Sequence, residues 1–381
     1  SCSRPHCVPA DGGLRGIIAA NRMLPGPSIH VCENDIIRVR VHNKMEGSQG
    51  TSIHWHGILQ KGSPYMDGVS MVTQCPISTH TAFTYVFNAT TVGTHFWHSH
   101  AGLQRADGLF GHLVVRQPPS REPHFHFYDF DLPEHTILVN DWWHRGADPS
   151  FAQHHHSNGD NKPRTVLING KGLGMFFYDV NTKRNSTTPR EKFIVKQGFR
   201  YRFRVASNGI LNCPLRVSVD NHSIQIIATD GSPVEPMEIE SFNIFPGERY
   251  DFVLTANNSV DNYFIRVQGD LDCGNRFKNA METAILQYDG AEEGMENNHT
   301  FIIPPPSLDG LVLNPVNSGG SENEILVSNL TSLIENDETI TRKPDRKIVV
   351  AMDFAVIDNP RFHNSHLYST RDATDSCKHH S

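Results

Sequence analysis

Two short stretches decide how this chain reads: His54-Trp55-His56-Gly57 and, about forty residues on, Gly93-Thr94-His95-Phe96-Trp97-His98-Ser99-His100. Both sit in strand-like runs. Alternate side chains of a strand share one face at roughly 7 Å, so His54 and His56 point together, as do His98 and His100. Two such strands side by side bring four imidazoles into one pocket. Imidazole suits copper, zinc, iron or nickel, whereas Mg²⁺ and Ca²⁺ take oxygen ligands. The pair predicts a metal site with His54, His56, His98 and His100 as its ligands.

The same reading extends outward. Ile37, Val39 and Val41 alternate with Arg38, Arg40 and His42, the pattern of a half-buried strand. Short strands separated by turns continue through residues 53–59, 83–87, 95–98 and 113–115, predicting an all-β antiparallel sandwich or barrel over residues 1–117. Residues 118–135, rich in Pro, His and Asp, form a linker. A second β-rich unit spans 136–290, and its plainest strand is Phe199-Arg200-Tyr201-Arg202-Phe203-Arg204-Val205, apolar on one face and arginine on the other. Within that unit, 140–163 is a polar excursion whose His154-His155-His156 run, set among Ser, Asn, Gly and Asp, reads as a solvated loop. Residues 291–345 read as an extended connection. Residues 346–381 open a third set of strands but are too few for a sandwich.

There is also an internal repeat. Phe83-Thr84-Tyr85-Val86-Phe87-Asn88-Ala89 followed by Thr94-His95-Phe96-Trp97-His98 resembles Tyr250-Asp251-Phe252-Val253-Leu254-Thr255-Ala256 followed by Asn262-Tyr263-Phe264-Ile265-Arg266. The second copy has Arg266 and Gln268 where the first has His98 and His100. It should keep the fold and lack the metal.

Composition narrows the function. A chain of 381 residues has room for two to three domains. No apolar run is long enough to span a membrane, and a net charge of −7 argues against binding nucleic acid. Sequons at Asn88, Asn185, Asn221, Asn257, Asn298 and Asn329 point to a secreted glycoprotein. So do seven cysteines outside CxxC pairs, which fit isolated disulfides.

The two histidine clusters resemble the N-terminal copper signature of the multicopper oxidases, and more closely that of insect laccases. The likeness includes Tyr65-Met66-Asp67-Gly68-Val69, Thr73-Gln74-Cys75-Pro76-Ile77, Asp107-Gly108-Leu109-Phe110-Gly111, Leu167-Ile168-Asn169-Gly170-Lys171-Gly172 and Phe245-Pro246-Gly247-Glu248-Arg249-Tyr250-Asp251. It runs from about Cys7 to about Phe362. The resemblance implies consecutive cupredoxin-like Greek-key sandwiches, the third only begun here. It also implies one-electron oxidation of phenols or catechols coupled to reduction of O₂ to water. By that likeness His54 matches a type 2 copper ligand, His56 and His98 a type 3 copper, and His100 its twin. Such ligands must be neutral, so affinity should fall below about pH 6.

Asp67 resembles an acid beside the cluster that assists proton delivery; on its own it reads equally as a turn residue. His95 is out of phase with the ligands and reads as structural, and Trp55 and Trp97 read as walls around the imidazoles. Cys32 and Cys213 resemble a bridge between domains one and two, and Cys75 a cysteine bonded to the C-terminal tail. Asp220 sits where some relatives contact phenols, with a hairpin-turn role as the alternative. The family's HxxHxH and HCHxxxH stretches, which complete the three-copper cluster and supply the type 1 Cys, are not found in this sequence. Two readings follow. One is the N-terminal portion of a laccase-like oxidase, inactive without the missing third domain. The other is a secreted, catalytically dead copper-binding glycoprotein; a ferroxidase or ascorbate-oxidising relative is a further variant.

Overall fold

In this computed structural model the described residues are 8–155, 162–179, 183–211, 213–269, 275–295, 310–316, 320–334 and 342–351. The first sandwich is built from β1 (Ile29–Cys32), β2 (Ile36–His42), β3 (Ile53–His56), β4 (Ala82–Asn88), β5 (Gly93–Ser99) and β6 (Phe110–Arg116). One sheet runs β1-β6-β5-β3, and β2 pairs with β4. Trp55, Trp97, Leu113 and Val115 from the first sheet meet Ile37, Tyr85 and Phe87 from the second in one buried core. Burying each such side chain stabilises the sandwich by about 1.5–3 kcal/mol.

The second sandwich follows with β7 (Thr136–Trp142), β8 (Thr165–Ile168), β9 (Phe177–Asp179), β10 (Arg184–Ser186), β11 (Lys192–Val195), β12 (Arg200–Ser207), β13 (Leu215–Val219), β14 (Ile224–Thr229), β15 (Ser232–Ile239), β16 (Ser241–Ile244), β17 (Arg249–Thr255), β18 (Asn262–Gly269) and β19 (Met281–Tyr288). Two short strands, β20 (Val312–Leu313) and β21 (Glu324–Ile325), extend its β11-β19-β18-β13-β16 sheet. The expected connection over 291–345 is thus partly built into the second sandwich. The facing sheet runs β15-β14-β17-β12-β7-β8. Cross-strand partners Phe203 and Phe252 stack at 5.2 Å at the centre of this core.

The internal repeat is visible in the topology. The order β1-β6-β5-β3 recurs as β11-β19-β18-β13, with the outer pair parallel and the inner pairs antiparallel in both. The regular elements of the described residues are mainly strands, as the pattern predicts, and the strands form the cupredoxin-like sandwiches that the resemblance implies. Residues 346–351 are exposed and hold no strand, and the rest of the expected third-domain start lies outside the described residues. Among the described residues no helix is long and apolar enough to cross a membrane.

The arginine face of β12 is not a solvent face. Arg202 and Arg204 are buried, and the linker acids lie over them. Glu122 binds Arg202, Asp131 binds Arg204 and Arg116, and Asp129 binds Arg200. Burial pushes the Asp131 carboxyl up, but its hydrogen bond to Arg204 and the charges of Arg204, Arg202 and Arg116 outweigh that and hold it below the usual range. The Pro/His/Asp-rich linker is therefore a strap of counter-charges.

Two further expectations change. Within 140–163, Ala147–His155 is a helix, its first N–H satisfied by Asp107 Oδ1 at 2.9 Å. His156 and the side chains of His154 and His155 lie outside the described residues. Cys32 does not bridge to Cys213. Cys32 is a free thiol, exposed at the end of β1, whereas Cys213 is disulfide-bonded and buried in the second core. Cys75 is also free; Cys2, Cys7, Cys273 and Cys377 lie outside the described residues. A bridge requires Cα atoms within about 7 Å, and a thiol facing solvent on one sandwich does not meet one inside the other.

His95 and His112 are both buried. Burial pushes each imidazole down to about 4. A folded-state value below the unfolded one gives stability that is present above about pH 6.5 and lost as pH falls through 4. Stability measured by urea unfolding should fall on the order of 1 kcal/mol per histidine between pH 7 and 5.5. H112Q should flatten that slope; an unchanged slope would contradict the assignment.

Candidate metal centre

The register of two strands makes the site. β3 and β5 pair with His54 opposite His98, Trp55 opposite Trp97 and His56 opposite Phe96. The imidazole nitrogens of His54, His56 and His98 lie within 4.8 Å of one another, the one such three-residue cluster among the described residues. His100 sits at the open edge, exposed, with its ring 5.4 Å from His54 and 6.0 Å from His98.

The hydrogen bonds choose the tautomers. A carbonyl oxygen only accepts, so His54 Nδ1–H donates to the Asp67 carbonyl at 2.8 Å and His98 Nδ1–H to the Ser99 carbonyl at 2.9 Å. Each ring is left with Nε2 bare. His56 turns its Nδ1 toward His98 Nε2, 3.3 Å away. Second partners of this kind fix ring orientation in metal sites. The imidazoles are also held neutral. Burial, then Arg249 and Arg105, push His56 down to about 3; burial and Arg105 hold His98 well below its ordinary value. Burial lowers His54 as well, against the opposing effect of Asp67. Neutral rings with converging lone pairs, packed too closely to share protons, fit a soft or borderline transition metal.

Asp67 contributes mainly through its backbone. Its carboxylate Oδ1 stands 3.4 Å from His54 Nδ1, farther than its carbonyl. The following residue explains the turn. Gly68 has φ +80°, and a Cβ there would stand 1.7 Å from the Ile53 carbonyl. Gly68→Ala should displace the Asp67 carbonyl from His54, lowering the Tm and weakening metal binding together. A variant that binds metal as the wild type does would show that this contact is dispensable.

The tryptophans do not wall the pocket. Trp55 packs on Tyr85 and Phe87, and Trp97 donates to the Pro27 carbonyl at 3.0 Å. Being odd-numbered, they point opposite to the histidines. The aromatic wall is Phe96, stacked on His56 at 4.4 Å and 22°. The same period of two could have revealed it. His95 is structural, its Nε2–H shared between the Thr91 and Val92 carbonyls. Domain two supplies the back of the pocket: a Cβ on Gly247 would come within 3.3 Å of His56, and Arg249 donates to the Thr94 carbonyl at 3.1 Å. Arg105, in a loop with no periodicity, gave no signal in the sequence.

Domain two has a charge pair where domain one has its histidines. Arg266 on β18 occupies the repeat position of His98, and Asp220 that of His56. They form a two-pronged ion pair at 2.5 and 2.7 Å. The carboxylate expected to contact phenols thus serves as the partner of Arg266.

Two successive sandwiches, the first with a histidine pocket on two neighbouring paired strands, define a cupredoxin-type architecture with a candidate metal centre. Residues 2–120 and 133–291 match two family profiles, each described as multicopper oxidase. Laccase-4 of Trametes villosa is 38% identical over 292 residues, covering 75% of this chain and 52% of the relative. Laccase-5 of the same organism is 37% identical over 326 residues, covering 82% and 58%. The crystal structure of a laccase from Botrytis aclada superposes with a TM-score of 0.66 at 33% identity, covering 78% of this chain and 53% of that one. The chain belongs to the multicopper oxidase family, and spans little more than half the length of these relatives.

Proposed function

We propose that this chain supplies the first-domain wall of a three-copper cluster in a laccase-like oxidase, with phenols or catechols as electron donors and O₂ as acceptor. The observation that carries this reading is the pocket itself: three neutral imidazoles with converging nitrogens, two of them pinned by carbonyl hydrogen bonds, on a chain of this family. In the proposed assignment His54 serves the type 2 copper, His56 and His98 one type 3 copper, and His100 the other. Copper bound there supplies electron transfer to O₂.

The protein's own work is binding and orientation. The Asp67 and Ser99 carbonyls fix two rings, Phe96 shields His56 from water, and the Asp67 carboxylate, half-exposed beside His54, is placed to hold a proton near the pocket's mouth. The remaining ligands and the type 1 site, a thiolate with two His, are assigned to a third domain. Secretion and glycosylation belong to the same proposal; Asn88, Asn185, Asn221, Asn257 and Asn329 are exposed, and Asn298 lies outside the described residues.

The test is oxygen uptake with a catechol. The 381-residue chain, loaded with copper, should consume none, and the chain continued by a laccase third domain should consume it. Turnover by the chain alone would contradict the half-site assignment.

A further inference from the structure

Arg105 is largely buried near the histidine pocket and forms no ion pair among the described residues. Its Nε donates to Asn208 Oδ1 at 3.0 Å and its Nη2 to the Gly209 carbonyl at 2.9 Å. The guanidinium lies over the Phe96 ring at 5.4 Å. That ring in turn stacks on His56 and lies 5.3 Å from His98. The nearest counter-charge is on the far side of the loop. Asp141, itself buried, accepts from the N–H groups of Ile210 and Leu211 at 2.9 and 3.0 Å. The segment 208–211 thus separates cation from carboxylate, with carbonyls toward one and N–H groups toward the other. Arginine keeps its proton at any working pH, so the charge stays fixed beside the pocket.

We propose that Arg105 sets which charge of metal the histidine pocket accepts, favouring a monovalent over a divalent ion. The inference rests on the metal reading of the same pocket. A fixed positive charge penalises a divalent ion twice as much as a monovalent one. At the effective dielectric of about 20 that describes protein sites, one such charge at this range is worth roughly tenfold in relative affinity. Asp141 offsets part of the effect but is held off by the loop. Among copper's two common states, the geometry therefore favours Cu(I).

The test measures Cu(I) affinity by anaerobic competition with a chromophoric chelator, and Zn(II) affinity by titration, on the whole chain. Zn(II) has no redox chemistry to confuse the comparison. Arg105→Gln should raise Zn(II) affinity relative to Cu(I) about tenfold. Asn208→Asp, which puts a carboxylate on the same guanidinium, should shift the ratio the same way. Arg105→Lys, which keeps the charge and loses the fork, should leave it near the wild-type value. A ratio unchanged within twofold in R105Q and N208D overturns the role of Arg105 and leaves the metal site standing. A ratio that moves as far in R105K as in R105Q assigns the effect to the fork's geometry and overturns it too. A wild-type chain that binds neither ion overturns the metal reading and this inference together.

Discussion

Replacing Asp251 with asparagine is expected to destabilise the chain by roughly 3–5 kcal/mol, the cost of breaking a buried ion pair from one side. Asp251 is 1% exposed. It accepts from Arg202 Nε at 3.0 Å and Nη2 at 2.6 Å, from Arg204 Nη1 at 3.0 Å, and from Thr94 Oγ1 at 2.5 Å. Arg202, Arg204 and Arg116 are balanced by Glu122, Asp131 and Asp251, so the substitution leaves one buried positive charge uncompensated. The amide that replaces the carboxylate also has one acceptor oxygen fewer for Thr94, which sits on the strand that carries His98. Thermal unfolding should shift down by about 10 °C, at a few degrees per kcal/mol for units of this size. The Lys192–Glu293 pair, whose carboxylate is 76% exposed, provides the contrast. E293Q should change stability by less than about 1 kcal/mol, as surface pairs do. Equal effects from D251N and E293Q would mean that the buried network contributes no more than a surface contact.

His98→Ala is expected to lower metal affinity at least a hundredfold. Loss of a partner that merely orients a ligand already costs about ten- to a hundredfold, and His98 is a proposed ligand whose bare nitrogen faces His56. Trp97→Phe tests the alternative that the variant acts through general loosening. Trp97 lies one residue away on the opposite face, in the core, so W97F should lower stability and leave metal affinity close to that of the wild type. If W97F and H98A weaken binding equally, affinity follows the integrity of the sandwich and not the imidazole.

The pocket was the most legible part of the chain, because a period of two is a backbone property and needs no partner. It places His54 with His56 and His98 with His100, and the observed register adds that His54 stands opposite His98. The same period excludes Trp55 and Trp97 from the pocket. Family likeness drew them toward it, and the alternation of the strand was the better guide. The repeat was legible for the same reason: matching strands form matching ladders, and Arg266 stands on β18 where His98 stands on β5.

What stayed hidden depends on long-range partners. In the sequence the arginines of β12 mark only the face opposite the apolar one, because the acids that bury them, Glu122 and Asp131, are some 70 to 80 residues distant. The acids in turn read as linker polarity because their arginines were not in view. Arg105 lies in a loop, where no periodicity marks a side chain. The Cys32–Cys213 pairing came from likeness alone, and a thiol's position in the sequence does not tell whether it faces solvent or core. The helix at 147–155 depends on a cap from Asp107, in the other domain.

The central claim is that the paired strands hold copper through imidazole nitrogen. Electron paramagnetic resonance of the chain loaded with Cu(II), alongside the double variant H56A/H98A, tests it most directly. The account predicts a bound signal with hyperfine splitting from several nitrogens in the wild type, and loss of that signal in the double variant. An identical nitrogen-split signal in both proteins, or no bound copper in the wild type, would contradict it.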